Sequence, residues 1–331
     1  MNCNIIDGVI MTGIGIIGVG GWGKNHVRVF STLKSEGLID FIGIADISKE
    51  VLKKLTTIYN IDLVTTSYED LLKNENIDGI VIATPTPLHF EHALKALECN
   101  KHVLVEKPLT ETVEQGEKLI RVANKNELIL MVGFLLRYSP AIRYARDLIA
   151  SGEIGKVLSI SAKRTSLWPN RKLDVGVVRD LAIHDIDLVR YLTDANPILI
   201  FAIGGKLIHE YEDYASIILE YKGGKSESIA TLIEVSWVTP YKIRRMEVVG
   251  TKGSLEIELL KHSVSIFFEN ELRKPLLPYR EPLMEEDKNF VLSITGREKP
   301  IVTGEDGLVA LKACFAALKS MHEKKVIRVF E

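Results

Sequence analysis

The sequence predicts an α/β protein with an N-terminal Rossmann domain, a doubly wound parallel sheet, and a C-terminal α+β domain with an open, mostly antiparallel sheet. Three observations lead to this prediction. Apolar strand segments alternate with helix patterns in the first half, a glycine-rich turn follows the first strand, and after about residue 150 strand runs are joined by glycine-containing turns. Because 331 residues exceed one compact core, we expect domains at 1–134 and 135–331, with 1–10 as a flexible extension.

The first half has the pattern of a buried parallel sheet. Short apolar segments rich in Ile and Val predict strands at 13–20, 38–46, 78–85, 101–108 and 127–134. Amphipathic segments between them predict helices, and one of these helices begins at a serine cap. Because the strands are apolar on both faces, we expect helices to cover both faces of the sheet.

The second half has the pattern of an antiparallel sheet with helices on one face. The strand runs cover 157–168, 198–208, 214–237, 243–259 and 263–271, and the helix patterns cover 181–193, 283–295 and 305–322. The strands between 198 and 268 also carry alternating apolar residues on their outer face. We therefore expect a homodimer or homotetramer that covers this face.

The composition excludes several classes of protein. Lys and Arg total 42 against 44 Asp and Glu, a net charge of -2, and no basic stripe interleaved with aromatic residues points to nucleic acid. No apolar run reaches the ~20 residues that cross a bilayer, so we expect no membrane partner. The 3 cysteines are too scattered for a disulfide framework or a zinc site, and a cytoplasmic location fits them best.

The glycine-rich turn predicts a dinucleotide site. Gly18, Gly20 and Gly23 form a G-x-G-x-x-G motif that ends a strand and opens a helix, and Gly21 and Trp22 complete the loop. In this context the first glycine permits a tight turn, the second lets a pyrophosphate approach the backbone, and the third lets the helix pack on the strand. The N–H groups at the helix N-terminus favour phosphate.

An acidic residue at the end of the second strand predicts NAD as the cofactor. The carboxylate of Asp46 can accept hydrogen bonds from both ribose hydroxyls of an adenosine, and it repels a 2′-phosphate. The next residue, Ile47, offers no positive charge for such a phosphate. The sequence therefore favours NAD over NADP, and the alternative is an aspartate that merely caps the following helix.

Four motifs in order resemble one known family. They are GVGGWG at 18–23, ATPTPLH at 83–89, EKP at 106–108 and DLAIH at 180–184. Nearly the whole chain is similar to the glucose–fructose oxidoreductase / inositol dehydrogenase (Gfo/Idh/MocA) family. The resemblance implies a Rossmann domain followed by an α/β domain whose open sheet covers the active site, and oxidation of sugars, inositols, sugar nucleotides or other polyols.

The second and third motifs lie at the carboxyl ends of strands, where open α/β sheets bind ligands. The resemblance implies that Lys107 meets both the nicotinamide and the reacting hydroxyl, so that its charge stabilises the developing alkoxide. Glu106 is expected nearer the nicotinamide. From their position after a strand we expect Thr84, Pro85 and Thr86 to line the channel for the nicotinamide ribose.

His89 and Arg137 each have two possible roles. His89 is expected either to hydrogen-bond the ribose or to cap the start of a helix. Arg137 lies in a segment that resembles the family's connection between the two domains. It is expected either to approach the cofactor or substrate, or to form a salt bridge between the domains.

The fourth motif predicts a catalytic pair. Asp180 and His184 are four residues apart, and Asp187 is three further on, so a helix places all three on one stripe, whereas Asp185 points elsewhere and is expected to be solvated. A carboxylate beside an imidazole orients it and stabilises its protonated form. The motif matches the family's D-x-G-x-H pattern except that Ala182 replaces the glycine. A structural pair and a metal site are the alternatives, but no third ligand is evident nearby, so we expect no metal.

Together these residues predict alcohol oxidation. Hydride passes from a sugar-ring carbon to NAD, His184 accepts the hydroxyl proton, Asp180 orients His184, and Lys107 supports the oxyanion. The same three residues are therefore also expected to contact the substrate.

The segment before this helix predicts part of the substrate site. Arg164 and Arg171, with the neighbouring Lys163, could meet a diphosphate, and Trp168 could stack on a sugar or base; a solvated basic loop is the alternative. Resemblance of the segment 236–258 to members acting on UDP-activated amino sugars favours a UDP-N-acetylglucosamine 3-dehydrogenase. A free monosaccharide or inositol dehydrogenase is the second candidate, and an NAD-sensing regulator without turnover is the third.

Overall fold

The structure is a computed structural model, which describes residues 5–6, 9–10, 12–168, 174–223 and 228–330. The described chain divides into two compact units. The first contains Met1–Phe134 and Leu283–Leu308, and the second contains Leu135–Pro282 and Val309–Glu331. The sequence predicts a single domain for residues 135–331, whereas in the structure Leu283–Leu308 belongs to the first unit.

The first unit contains a parallel sheet. Within the described residues its strands are β3 (Gly13–Ile17), β4 (Phe41–Ala45), β5 (Leu63–Thr65), β6 (Gly79–Ile82), β7 (His102–Val105) and β8 (Leu130–Val132). Their order is β5-β4-β3-β6-β7-β8, and every neighbouring pair is parallel. This is the doubly wound order in which ligands bind beyond the carboxyl ends of the strands, where the strand order reverses beside β3.

Helices flank this sheet, and most of them connect consecutive strands. They are α1 (Gly23–Ser35), α2 (Lys49–Thr56), α3 (Tyr68–Lys73), α4 (Thr86–Glu98), α5 (Val113–Lys125) and α8 (Pro282–Ile294). Helix α8 packs closely on the sheet because β6 begins with a glycine. A Cβ atom on Gly79 would lie 2.6 Å from Ile294 Cδ1 and 3.0 Å from Phe290 Cε1. This close contact explains how the returning segment becomes part of the first unit.

The second unit contains a mixed sheet. Within the described residues its strands are β9 (Val157–Leu167), β10 (Asn196–Gly205), β11 (Tyr214–Lys222), β12 (Ile229–Ser236), β13 (Val238–Gly250), β14 (Ser254–Glu258), β15 (Ser263–Phe268), β16 (Glu271–Arg273) and β17 (Ile327–Arg328). Their order is β16-β15-β14-β13-β9-β12-β11-β10-β17. All neighbouring pairs are antiparallel except β9 with β12. The predicted fold class is therefore confirmed.

The helical segments of the second unit include two non-α turns. They are a 3₁₀ turn at Leu135–Tyr138, α6 (Pro140–Ala150), a π-helical turn at Val178–Ala182, α7 (Ile183–Thr193) and α9 (Gly304–Glu323), which begins in the first unit. The sequence pattern predicts α7, α8 and α9, but it does not predict α6 or the π-helical turn. A π turn inside a helix often marks a functional position.

The N-terminal segment differs from the prediction in its described residues. Strands β1 (Ile5–Ile6) and β2 (Val9–Ile10) pair antiparallel, although we expected a flexible extension here. Within the described residues, no helix has both the length and the apolar character that a bilayer crossing requires.

Candidate active site

The glycine loop after β3 has the steric form that the motif predicts. Gly18 has φ +82°, and a Cβ on it would lie 2.7 Å from Thr84 Cγ2, while a Cβ on Gly23 would lie 1.9 Å from Gly18 O. By contrast, a Cβ on Gly21 would meet nothing within 4 Å. Two glycines are thus required by the packing of the loop itself, and the space above the middle of the loop is open to a ligand.

The start of α1 fits a phosphate group. Its N-cap is Trp22, which is 42% exposed and makes no side-chain capping bond, and the first turn contains no acidic residue. The first N–H groups of a helix lack intrahelical partners, so this end offers donors and a positive dipole. These observations fit the pyrophosphate of a dinucleotide. A bound nicotinamide cofactor would supply the acceptor for a hydride.

Asp46 lies beside the glycine loop, as the sequence predicts. Its Oδ2 accepts a hydrogen bond from Val19 N at 2.9 Å, its Oδ1 accepts one from Ser48 N at 2.9 Å, and a Cβ on Gly20 would lie 3.9 Å from Oδ2. These backbone bonds fix the carboxylate at the end of β4. Since each carboxylate oxygen can accept more than one hydrogen bond, both oxygens can still accept ribose hydroxyls.

The residues after β6 form the second part of the site. Thr84 lies against Gly18, Pro85 is the exposed N-cap of α4, and Thr86 is buried at the first position of that helix. Thr84 Oγ1 also lies 3.3 Å from His92 Nδ1. The structure therefore brings Thr84 and Pro85 to the carboxyl edge of the sheet next to the glycine loop.

His89 has a different role from the one expected. Its side chain is buried, with Nδ1 2.8 Å from Pro108 O and Nε2 2.8 Å from Thr84 O. Because carbonyl oxygens only accept hydrogen bonds, both contacts are hydrogen bonds when each ring nitrogen carries a proton. His89 thus joins the loop after β6 to the loop after β7 and does not offer its nitrogens to a ribose.

Lys107 lies at the carboxyl end of β7, half-buried, and its peptide bond to Pro108 is cis. Its backbone N–H donates to Glu106 Oε2 at 3.2 Å. The carboxylate of Glu106 also packs against the strand end at Gly133, where a Cβ would lie 2.9 Å away. Each carboxylate oxygen of Glu106 thus has a partner in the protein, and the expected position of this side chain near the nicotinamide stays a prediction.

A buried cluster next to Glu106 is not predicted by the sequence pattern. His26 of α1 donates from Nδ1 to Asp287 Oδ1 at 2.8 Å, and its Nε2 lies 3.2 Å from Glu106 Oε1. Burial by itself lowers the pKa of His26, but Asp287 and then Glu106 outweigh it and raise that pKa well above the usual value. His26 is therefore an imidazolium between two carboxylates. The feature of the sequence that could have indicated this cluster is a histidine three residues after Gly23, at a position on the inner face of α1.

The proposed catalytic pair lies at a junction of two helix types. Asp180 is buried in the π-helical turn, and His184 is half-buried in the first turn of α7. The start of this region is held by Glu212, whose Oε1 accepts from Val178 N at 3.0 Å and whose carbonyl accepts from Val177 N at 3.0 Å. Burial raises the pKa of Glu212, while the backbone N–H groups of Glu212 itself and of Val178 act in the opposite direction.

Two buried ion pairs flank His184 on α7. Arg164 of β9 donates to Asp185 through Nε at 2.7 Å and through Nη2 at 2.6 Å. Asp185 was expected to be solvated, and this expectation is wrong because its side chain is buried in this bidentate pair, while the predicted contact of Arg164 with substrate stays a prediction. The pairing fixes the rotation of α7 relative to the sheet.

Arg137 forms the second of these pairs. It donates to Asp187 through Nε at 2.9 Å and Nη2 at 2.6 Å, and its guanidinium lies 5.0 Å from the centre of the Tyr191 ring. Both charged groups are buried and belong to the second unit. Burial raises the pKa of Asp187, and Arg137 opposes this shift. Arg137 is therefore a buried ion-pair partner of α7, and the expected contact with the cofactor or substrate, or salt bridge between the domains, stays a prediction.

The segment before α7 is described only in part. Trp168 stacks on His209 and meets Trp237 edge-on at 5.0 Å between ring centres. Stacking on His209 covers one face of the Trp168 ring, and the expected stacking on a sugar or base stays a prediction. Arg171 lies outside the described residues. Among the described residues, no group of three or more His, Cys, Asp or Glu side chains could hold a metal ion.

The fold and the glycine loop define a dinucleotide-binding protein of the Rossmann class. Residues 12–134 match the oxidoreductase family with an NAD-binding Rossmann fold, GFO_IDH_MocA, and residues 142–256 match the GFO/IDH/MocA C-terminal domain. The chain therefore belongs to the Gfo/Idh/MocA oxidoreductase family, as its motifs indicated, and its cofactor is NAD.

Relatives span almost the whole chain. The myo-inositol 2-dehydrogenase of Thermotoga maritima is 27% identical over 336 residues, covering 96% of this chain and 98% of the relative. The UDP-N-acetylglucosamine 3-dehydrogenase of Acidithiobacillus ferrooxidans is 28% identical, covering 92% and 95%. A solved structure of the latter has a TM-score of 0.85 at 26% identity and covers 95% of this chain and 99% of that one. The chain is thus similar at full length to dehydrogenases with different substrates.

Proposed function

We propose that this protein oxidises a ring hydroxyl of a sugar or sugar nucleotide to a ketone, with NAD as the hydride acceptor. The proposal is supported by the combination of a dinucleotide loop with Asp180 and His184 at the junction of the π-helical turn and α7, a helix that two buried ion pairs hold in place. Pre-positioned groups are what proton transfer in a transition state requires.

The chemistry follows from three side chains. The carbon–hydrogen bond of the alcohol breaks as the hydride leaves, and the hydroxyl proton passes to His184. Asp180 orients the imidazole and stabilises its positive charge. Lys107 stabilises the negative charge that develops on the oxygen before the carbon–oxygen double bond is complete. The ion pairs of Arg164 and Arg137 hold α7, the helix that carries His184.

Two substrates are candidates for this reaction. A UDP-N-acetylglucosamine substrate, oxidised at the 3-hydroxyl, is supported by the full-length relative and the solved structure from Acidithiobacillus ferrooxidans. A free polyol is supported by the similarity to an inositol dehydrogenase. We propose the sugar nucleotide because the family motif of the segment 236–258 favours it.

The test is direct. The purified protein is mixed with NAD and, separately, with UDP-N-acetylglucosamine, myo-inositol and glucose, and NADH absorbance is followed. We expect NADH with UDP-N-acetylglucosamine and a keto sugar nucleotide as the product. Tight NAD binding without NADH from any substrate would instead support a regulator.

Replacing Asp46 with serine tests the cofactor assignment. The substitution removes two charge-assisted hydrogen bonds to the adenosine ribose and the repulsion of a 2′-phosphate. Hydrogen bonds to charged groups contribute ~1.5–3 kcal/mol, so the KM for NAD should rise ~10–100-fold while NADP becomes a better substrate. Initial rates with both cofactors measure the change. An unchanged ratio of kcat/KM for the two cofactors would contradict the role of Asp46.

We also propose that the outer face of the second unit's sheet is an interface between copies of this chain. Ile218 and Leu232 are cross-strand neighbours on this face and are 56% and 40% exposed, and Ile203 lies on the adjoining strand. Apolar side chains on neighbouring strands of an open sheet favour burial by a second copy.

A double substitution of Ile218 and Leu232 by glutamate should reduce the molar mass in solution, because two carboxylates on each copy would be desolvated in the interface. Light scattering coupled to size-exclusion chromatography measures it. Ile47→Glu is the matched control, since this exposed apolar residue belongs to the first unit. A monomeric parent protein would refute the proposed interface.

A further inference from the structure

Arg244 lies on the inner face of the second unit's sheet. In β13 it alternates with Met246 and Val248, which are buried on the same face, and its antiparallel partner on β9 is Arg164. Residues opposite each other on one face of a sheet have neighbouring side chains. Two guanidinium groups are therefore placed side by side next to the region of α7.

The two arginines differ in how they use their donors. Arg164 donates hydrogen bonds from Nε and Nη2 to Asp185. Arg244 instead donates from Nη1 to the carbonyls of Thr165, at 3.0 Å, and Ile243, at 2.9 Å. Those bonds use both protons of Nη1 and fix the guanidinium. Within the part of the chain that the structure describes, Nε and Nη2 of Arg244 have no acceptor.

The charge of Arg244 is only partly compensated. Burial, followed by the neighbouring Arg164, lowers its pKa to about 10, while Asp185 and Asp180 act in the opposite direction. The group remains a cation at neutral pH. Because Asp185 already pairs with Arg164, the remaining carboxylate that influences Arg244 is Asp180, the proposed partner of His184. Arg244 thus lies within electrostatic range of the proposed catalytic pair.

We propose that Arg244 binds a phosphoryl group of the substrate through its Nε–Nη2 edge, so that the substrate of this enzyme is a phosphorylated sugar. The planar edge of a guanidinium matches two phosphate oxygens, and an anion there offsets the repulsion between the two arginines. A neutral polyol would leave the cation uncompensated. This inference rests on the proposed function, and it distinguishes the sugar nucleotide from the inositol substrate.

The test compares Arg244→Gln and Arg244→Lys with the parent enzyme. UDP-N-acetylglucosamine supplies the phosphoryl group as a diphosphate, glucose 6-phosphate supplies it as a monophosphate, and myo-inositol has none. We expect the parent enzyme to prefer one of the two phosphorylated sugars. This preference shows whether the phosphoryl group that Arg244 binds belongs to a diphosphate or to a monophosphate. The KM for that sugar should rise ~10–100-fold in Arg244→Gln and less in Arg244→Lys, while the KM for NAD stays within about twofold.

Arg245→Gln is the matched control. This neighbouring arginine points to the opposite face and lies 3.9 Å from Glu256, so its loss should leave the KM for the sugar unchanged. Two results overturn the inference: a parental KM for the phosphorylated sugar in Arg244→Gln, or a parent enzyme that oxidises only myo-inositol.

Failure of the proposed function can be recognised separately. If none of the sugars is oxidised, calorimetric titration of UDP-N-acetylglucosamine and glucose 6-phosphate into both proteins still tests Arg244. Weaker binding to Arg244→Gln supports the phosphoryl site even without turnover. Equal binding to the two proteins, or no binding to the parent, contradicts it.

Discussion

Replacing His184 with alanine is expected to lower kcat for sugar oxidation by ~10²–10⁴-fold, because the hydroxyl proton then has no positioned acceptor. Lys107→Met is expected to lower kcat by ~10²–10³-fold, since the developing alkoxide loses a cation. NAD affinity should change little in His184→Ala, whose side chain belongs to the second unit. Steady-state rates and fluorescence titration with NAD measure these effects.

A matched control separates a chemical role from a loss of histidine in general. His322→Ala removes an exposed histidine from α9 of the same unit and should retain parental activity. Added imidazole should restore part of the rate to His184→Ala, because a small base can enter the space left by the side chain. Full activity in both His184→Ala and Lys107→Met would rule out the assignment of these residues.

Replacing His26 with alanine is expected to produce the largest change in stability. The substitution removes the cation from a buried cluster and leaves the carboxylates of Asp287 and Glu106 close to each other. Breaking a buried pair by removing one partner typically costs ~3–5 kcal/mol. Urea unfolding measures the free energy difference. A loss below about 1 kcal/mol would mean that the cluster does not hold the first unit together.

This contribution should depend on pH in a defined direction. The pKa of His26 is raised in the folded protein, so the folded state binds the proton more tightly than the unfolded chain, whose histidine titrates near ~6.5. The stabilisation is fully present below that value and is lost as the pH rises towards the raised pKa. The difference between the parent and His26→Ala should therefore be larger at about pH 6 than at about pH 9.

A double substitution tests whether the cluster acts as a unit. His26→Leu together with Asp287→Leu removes the cation and one carboxylate at the same time. Because the two side chains are in contact, the double variant should lose less stability than the sum of the single variants. Additive losses would show that the two residues act independently.

The sequence predicted those parts of the site that local pattern determines. The glycine loop, the position of Asp46 at the end of β4, and Thr84 beside Gly18 all follow from short motifs whose geometry is set by a strand, a turn and a helix. The pairing of Asp180 with His184, inferred from their spacing, stays a prediction, and the π-helical turn that contains Asp180 was not predicted.

The parts that were missed depend on partners distant in the chain. Arg164 and Asp185 are 21 residues apart, Arg137 and Asp187 are 50 apart, and His26 and Asp287 are 261 apart. A charged residue in a helix pattern is normally solvated, so neither the pairs nor their burial could be predicted without the topology. The edge strand β5 was missed because three residues carry too little pattern.

The discontinuity of the first unit determines when it can be completed during synthesis. Met1–Phe134 leaves the ribosome early. The surface at Gly79 and the imidazole of His26 gain their packing partners only when Leu283–Leu308 has been synthesised. Until then, an apolar surface and a buried histidine lack their C-terminal partners, which is the condition in which nascent chains depend on chaperones. The nucleotide-binding unit is therefore the first to be started, but it can be completed only after most of the second unit has been translated.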